Sequence, residues 1–357
     1  MQQNKTTSSL LNWYHTEKRI LPFRDIDNPY LIWLSEVMLQ QTQVSTMVPY
    51  FEKWVSKFPT INSVAIASEE SCLKLWEGLG YYSRCRNFQK AAKLIVKNHQ
   101  GIIPNNWTEF RALPGVGDYT AAAVLSIAFN KTYPVIDGNV KRVMARMLGL
   151  KNLTKRNMSR INKYLSHIIS IENPGDFNQS LMELGASICS PKNPGCGKCP
   201  VSFNCKAFSM GEAESYPKII KKKKTPHYEV VAGLVWRNDK FYIQKREEGG
   251  MLAGLWEFPG GKVQKNESSE DCVIREIKEE LNITVAVGDY ISTIQHAYTH
   301  FSITMTGYHC RYLDGEPEAI GCANWKWLNA KDLDTLPFPK ANHKLFDKIP
   351  GLNPFND

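Results

Sequence analysis

Four cysteines fall between residues 189 and 205. Cys189, Cys196, Cys199 and Cys205 are separated by six, two and five residues. Thiolates at such spacing can wrap one inorganic centre, and the spacing alone admits either zinc or a [4Fe–4S] cluster. The other five cysteines are scattered, so the quartet reads as a metal site in a reducing compartment rather than a disulfide framework. Far upstream, Glu36 is embedded in the apolar run Leu31-Ile32-Trp33-Leu34-Ser35-Glu36-Val37-Met38-Leu39. There an acid should lose solvent, rise in pKa and stay protonated as a general acid; a carboxylate on a solvated stripe is the ordinary alternative. Asp137 precedes Gly138-Asn139-Val140, a good setting for a helix N-cap. Near the other end, Glu276, Glu279 and Glu280 are spaced to share one side of a helix, a hard-oxygen set suited to Mg²⁺ and a diphosphate.

These groups need a scaffold. At 357 residues the chain is too long for one ordinary core, so two domains are expected. From Leu10 to Leu184 the apolar spacing is helical almost throughout. Asn28-Pro29 opens a helix running to Gln41, and Gly78-Leu79-Gly80 breaks a helix before another opens near Tyr82. Gly115 and Gly117 turn the chain before an alanine-rich helix, Thr120 to Phe129, and Asp137-Gly138-Asn139 opens a helix through Leu148. Residues 216–226 hold Lys218 and the run Lys221 to Lys224, with a proline near each end, and read as a basic linker. Strand-like segments follow at Glu229 to Trp236, Lys240 to Lys245, Val285 to Gln295 and Phe301 to Tyr312, interrupted by one strong helix, Ser269 to Leu281. The fold class is therefore multidomain, an all-α domain followed by an α+β domain.

The composition, 43% hydrophobic and 22% charged, is that of a soluble globular protein. The polar stretch Met1 to Leu10 is no secretory signal and no apolar run approaches bilayer length, so a cytoplasmic setting without membrane attachment is expected. The formal charge of +9 suits a polyanionic partner.

The pattern C-x6-C-x2-C-x5-C at the end of a helical domain resembles that of the endonuclease III-like DNA glycosylases, which implies a [4Fe–4S] cluster rather than zinc. Its implied role is to shape the basic loop Lys192 to Lys206 that grips DNA. Leu113-Pro114-Gly115-Val116-Gly117 before a helix is similar to the helix–hairpin–helix of the same superfamily. There the backbone amides of Gly115, Val116 and Gly117 would face a DNA phosphate without reading sequence. Bifunctional members carry a lysine two residues after the second glycine, and it attacks the sugar. Tyr119 stands at that place here, so no amine nucleophile is available and a monofunctional enzyme is expected.

The stretch Trp33 to Gln43, WLSEVMLQQTQ, resembles the signature of adenine DNA glycosylases of the MutY type. The resemblance implies that Glu36 protonates adenine and that Asp137 stabilises the oxocarbenium-like sugar, with Tyr119 and Asn139 supporting the attack of water. One protonated and one ionised carboxyl form the general pair for glycosidic cleavage. Flipping a base out leaves a gap, which Gln41 and Tyr81 are implied to fill. Arg19, Leu21 and Glu183 match adenine-pocket positions. Phe23 stands where the family has tryptophan, keeping a stacking face and losing the indole donor.

In the C-terminal domain, Gly261, Glu267 and Arg275-Glu276-Ile277-Lys278-Glu279-Glu280 match the Nudix box, with Asn282 where glycine is usual. His296-Ala297-Tyr298-Thr299-His300-Phe301 resembles the H-x-F-S-H loop with which MutY-type enzymes contact 8-oxoguanine, implying contacts from Tyr298, Thr299 and His300. Trp256 and Leu336 to Pro339 also fit that domain. The expectation is a monomer with a glycosylase domain at 1–215 (cluster loop 189–205), a linker at 216–226 and a Nudix-like reader at 227–357. It would release adenine opposite 8-oxoguanine or guanine in double-stranded DNA. An added Mg²⁺-dependent diphosphate hydrolysis competes with a retained, inactive acidic helix. Glu36 and Asp137 argue against a merely tethered Nudix hydrolase. Tyr119 and the reader argue against a thymine-glycol-type glycosylase–lyase.

Overall fold

Asn28 is extended, and its side chain accepts the amides of Tyr30 and Leu31. The helix Pro29–Leu39 therefore starts where orphaned donors are met and where proline has no donor to lose. It stops at Leu39, short of the expected Gln41, because Gln40 leaves the helical region and Gln41 takes a left-handed φ of 58°. The computed structural model describes residues 2–218, 225–349 and 353–355. Contacts divide the chain into two units, Met1–Ala65 with Lys90–Lys222, and Ile66–Gln89 with Lys223–Asp357.

In the first unit the alanine-rich helix, Asp118–Phe129, is capped by Gly117 and buries every side chain from Thr120 to Ser126. Small residues let its neighbour close in. A Cβ on Gly175 would lie 2.9 Å from Ile127 Cα and from the Ser126 carbonyl, so the helix Pro174–Ser187 approaches it in backbone contact there. Further along, a Cβ on Gly185 would meet Asn139 Cβ at 2.5 Å. The same helix is thus pressed against the start of Gly138–Leu148, which sets Glu183 beside Asp137's end of that helix. Asn178 ties the arrangement: its amide donates to Ser126 and to the Tyr133 carbonyl and accepts from the Val135 amide. Being buried, it satisfies the rule that interior polar groups keep their partners. A second core gathers Leu10, Val140, Met144, Ile161, Phe177 and Leu184, with Cys189, Cys199 and Cys205 packed against its edge. Each such buried aliphatic or aromatic side chain contributes about 1.5–3 kcal/mol.

The expected linker begins as part of this unit. Arg146 donates to the Tyr216 carbonyl at 3.0 Å, and Lys218 donates its amide to Lys151 at 2.7 Å. Lys221 to Lys224 lie outside the described residues.

The second unit is built on a mixed sheet of β1 (His227–Arg237), β2 (Lys240–Lys245), β3 (Trp256–Glu257), β4 (Thr284–Ala297), β5 (Ser302–Asp314) and β6 (Asn324–Leu328). The order is β3-β2-β1-β5-β4, with β6 also on β2; β1 and β5 are parallel and the other pairs antiparallel. β1 is central and buried on both faces. Ala232, Leu234 and Trp236 pack with Phe338 and Leu345, while Val231 and Val235 pack with Val273 and Ile277 of the helix Ser269–Leu281. That helix has the bounds its sequence predicts, because Ser268 caps it and Asn282 ends it at φ 56°. Asparagine tolerates this left-handed stop, which accounts for its standing where the Nudix pattern has glycine. The short β3 and the strand β6 were not anticipated. Residues 66–89, sequence-assigned to the helical domain, group with this unit. Lys74 donates to the Leu336 carbonyl at 3.0 Å, Glu77 accepts the Phe338 amide at 2.6 Å, and Trp256 donates to Glu70. No helix among the described residues is long and apolar enough to cross a membrane.

Candidate active site

Glu36 lies in the middle of Pro29–Leu39 and is 7% exposed. Tyr119, in the first turn after the hairpin, donates its hydroxyl to Glu36 Oε2 at 2.6 Å. Burial pushes the Glu36 carboxyl up to about 7; the Tyr119 hydrogen bond opposes the rise and the nearby Asp137 charge adds to it. Asp137 caps Gly138–Leu148 and accepts the Val140 amide at 2.6 Å. Burial raises its pKa as well, against the pull of the Val140 and Asn139 amides and of Arg142. Burial likewise drives the Tyr119 hydroxyl well above its usual value, with the Glu36 charge adding to it.

These groups line one cavity of about 180 Å³, some ten times the room one water needs. Arg19, Leu21, Phe23, Asn139 and Glu183 line it too, so eight of the sequence-selected residues meet there. Glu183 is 1% exposed and receives two bonds from Arg19, at 2.5 and 2.9 Å, and a third from Arg24. Burial would raise its pKa, but the two guanidiniums outweigh that and hold it below the usual carboxylate range. Asn139 accepts from Arg142, which also holds the Gly185 carbonyl. Sequence reasoning missed Arg24, Gln179, Met182 and Ala186 in this wall. The last three stand with Glu183 on one helical stripe of Pro174–Ser187, a spacing that could have pointed to them.

Gln41 and Tyr81 do not line that cavity. Both have positive φ, 58° and 51°, costly for non-glycine residues and concentrated at functional sites. Tyr81 belongs to the second unit, where Arg84 lies 5.5 Å from its ring and bonds the Gly80 carbonyl at 3.0 Å. In the hairpin, Gly115 has φ 77° and a Cβ on Gly117 would meet nothing within 4 Å. Val116 differs, since its side chain is buried and its amide closes the turn on the Leu113 carbonyl at 3.1 Å.

Cys189, Cys196, Cys199 and Cys205 surround a second cavity, together with Arg146 and Leu184. Arg146, 2% exposed, donates to the carbonyls of Cys189, Ser190 and Pro191 and reaches Cys189 Sγ at 3.2 Å. Sequence spacing gave no hint of this arginine. Among the described residues, no three His, Cys, Asp or Glu side chains converge closely enough to hold a single metal ion. The four thiols nonetheless line one cavity, and four cysteines are the donor chemistry of an iron–sulfur centre. For the possible Mg²⁺ set the fit fails as arranged. Arg275 binds Glu276 at 2.9 Å and Glu279 at 3.0 Å, while Glu280 turns to Gln244 at 2.9 Å. Glu267, the upstream acid of the box, is also engaged by Arg275, at 2.6 Å.

The loop joining β4 to β5 is a four-residue tip. Tyr298 is half-buried, its amide donates to the Phe301 carbonyl at 2.8 Å, and its ring stacks on Phe301 at 4.6 Å. Thr299 and His300 are exposed at the tip.

Residues 34–167 match the HhH-GPD superfamily of base excision DNA repair proteins, and residues 230–348 match the NUDIX domain family. The adenine DNA glycosylase of Buchnera aphidicola subsp. Acyrthosiphon pisum is 36% identical over 95% of this chain and 96% of its own length. That of Arabidopsis thaliana is 33% identical over 96% of this chain, which spans only 64% of that longer protein. A solved thermostable thymine-DNA glycosylase is similar at TM-score 0.54 and 28% identity, covering 58% of this chain and 98% of that one. The paired domain matches and the near full-length identity to the Buchnera protein agree: the chain belongs to the adenine DNA glycosylase family.

Proposed function

We propose that this adenine DNA glycosylase, a hydrolase of N-glycosyl bonds, releases adenine mispaired with 8-oxoguanine or guanine in duplex DNA and leaves the strand uncut. The observation that carries the reading is the pairing of Glu36 and Asp137 in one cavity with Tyr119 between hairpin and acid. Glu36, protonated near neutrality, gives its proton to the departing adenine. Asp137, whose charged form is favoured by the Val140 and Asn139 amides and by Arg142 against the effect of burial, takes the ionised role and stabilises positive charge on the sugar. Asn139 and Tyr119 orient the water that completes hydrolysis. Arg19 and Glu183, with Leu21 and Phe23, shape the space for the base. Gln41 and Tyr81 enter the gap left in the duplex, their strained backbones supporting that assignment.

The hairpin amides of Gly115 and Gly117 hold a phosphate, and Val116 supplies the buried side chain that fixes their turn. Cys189, Cys196, Cys199 and Cys205 hold a [4Fe–4S] cluster, which when bound supplies structure to the basic loop rather than chemistry at the sugar. Thr299 and His300 read the oxidised guanine, with Tyr298 as their stacked base. The acids Glu276, Glu279 and Glu280 are occupied by Arg275 and Gln244, which favours a reader over a diphosphate hydrolase. The enzyme acts as a monomer in a reducing, cytoplasmic setting.

The decisive assay is strand scission of an A:8-oxoguanine duplex with and without later alkali. Product appearing only after alkali supports both substrate and hydrolytic chemistry. Breakage without alkali would overturn the monofunctional reading, and no product in either case the substrate.

A further inference from the structure

Asp137 and Gly138 are consecutive residues that face two different cavities. Asp137 borders the one that contains Glu36, whereas Gly138 borders another of about 270 Å³. Lys141, Arg142, Arg146 and Lys218 also line that second space, and among the described residues Glu214 is the one acid in its walls. Four cations against one carboxylate favour an anionic occupant. The two arginines are engaged by the walls: Arg142 donates to the carbonyls of Cys189 and Gly185 and to Asn139, and Arg146 donates to those of Tyr216 and Ser190 and reaches Cys189 Sγ, which leaves the two lysines as the mobile charges. Glu214 accepts the Asn193 amide at 2.6 Å. Lys141 and Lys218 form no ion pair among the described residues, and the backbone of Lys218 is anchored to Lys151 at 2.7 Å.

We propose that this basic cavity seats the phosphodiester group flanking the nucleotide whose base occupies the neighbouring cavity, with Lys141 and Lys218 as its two movable cations. The inference rests on the adenine-excision reading above. Consecutive residues, Asp137 and Gly138, wall the two spaces, so a nucleotide with its base in one lies beside the other with its phosphate. A phosphate held there and a base held beside Glu36 leave the sugar over Asp137. Phosphate contacts of this kind fix register and orientation rather than sequence.

The test uses the full chain and duplexes carrying A:8-oxoguanine. Lys141→Gln with Lys218→Gln should lower the salt slope of DNA binding by about one, because both lysines address a single phosphate. The arginine pair, Lys141→Arg with Lys218→Arg, should restore it, which separates charge from folding. Single phosphates are then replaced by uncharged methylphosphonates. Neutralising the flanking phosphate should weaken binding by the wild-type chain roughly tenfold, on the order of one lost charge-assisted contact, and leave the glutamine pair unchanged. Equal weakening of both proteins, or a loss independent of which phosphate is neutralised, would overturn the seat. A failure of the adenine reading shows differently, as no adenine released by the wild-type chain while the binding comparison remains readable.

Discussion

Tyr119 reaches Glu36 at 2.6 Å from the helix launched by the hairpin glycines, so the hairpin delivers a hydroxyl rather than an amine to the cavity. The bond favours the ionised form of Glu36 and partly offsets the burial that lifts it to about 7. Tyr119→Phe removes that opposition. The expected outcome is that the alkaline limb of the pH profile for adenine release in single-turnover assays moves to higher pH. A limb that stays in place while the plateau falls would mean that Tyr119 acts through geometry alone.

Glu36 also makes stability depend on pH. Its folded pKa, about 7, lies above the unfolded carboxylate value, so the native state binds more protons between the two. Stability is therefore highest at acid pH with respect to this group, declines as pH rises from about 4.5 towards 7, and is lowest above. Glu36→Gln removes the charge but keeps the shape. It should abolish adenine release, leave duplex binding intact, and raise Tm at pH 8 by a few degrees relative to its effect at pH 5. Equal Tm shifts at both pH values would contradict the assigned ionisation.

Much of this site was legible before any coordinates. Glu36 betrays itself by interrupting an apolar helix, and Asp137 by preceding Gly-Asn at a helix start. Ser269–Leu281 was readable at both ends because a serine cap and an asparagine stop are local signals. What stayed hidden depends on distant partners. Arg24 and Arg146 look like ordinary surface cations until Glu183 and the carbonyls of the cysteine loop, far along the chain, come to meet them. β3 has two residues, too few for any alternation to register. The Glu276, Glu279 and Glu280 stripe was correctly read as lying on a helix, but which side chain Arg275 would engage is a matter of rotamer rather than pattern.

The exposed tip between β4 and β5 makes His300 separable from folding. Tyr298 carries the loop's packing through its stack on Phe301, whereas His300 stands in solvent. His300→Ala should lower the preference for 8-oxoguanine over guanine opposite adenine several-fold, about 1 kcal/mol for one lost polar contact, with maximal turnover and Tm unchanged. Competition between the two duplexes in one reaction measures it. An unchanged ratio would move the reading function elsewhere on this unit.

Arg146 provides the last prediction, because its fixed fork serves many acceptors at once. It donates to the carbonyls of Cys189, Ser190, Pro191 and Tyr216 and touches Cys189 Sγ, all while 2% exposed. Lysine retains the charge but has three donors on one atom and cannot span carbonyls set on different sides. Arg146→Lys should therefore leave buried carbonyls unmatched, at a cost of about 1–3 kcal/mol for each, and loosen the loop that positions the four thiols. Iron per chain and visible absorbance should fall together with Tm, and the isolated loss of Tm with full iron content would show that Arg146 supports the helical unit but not the cysteine cavity. A chemical chelation series then orders the two effects: if the loop depends on Arg146, the variant should release its iron at lower chelator concentration than the parent, even at temperatures where both remain folded.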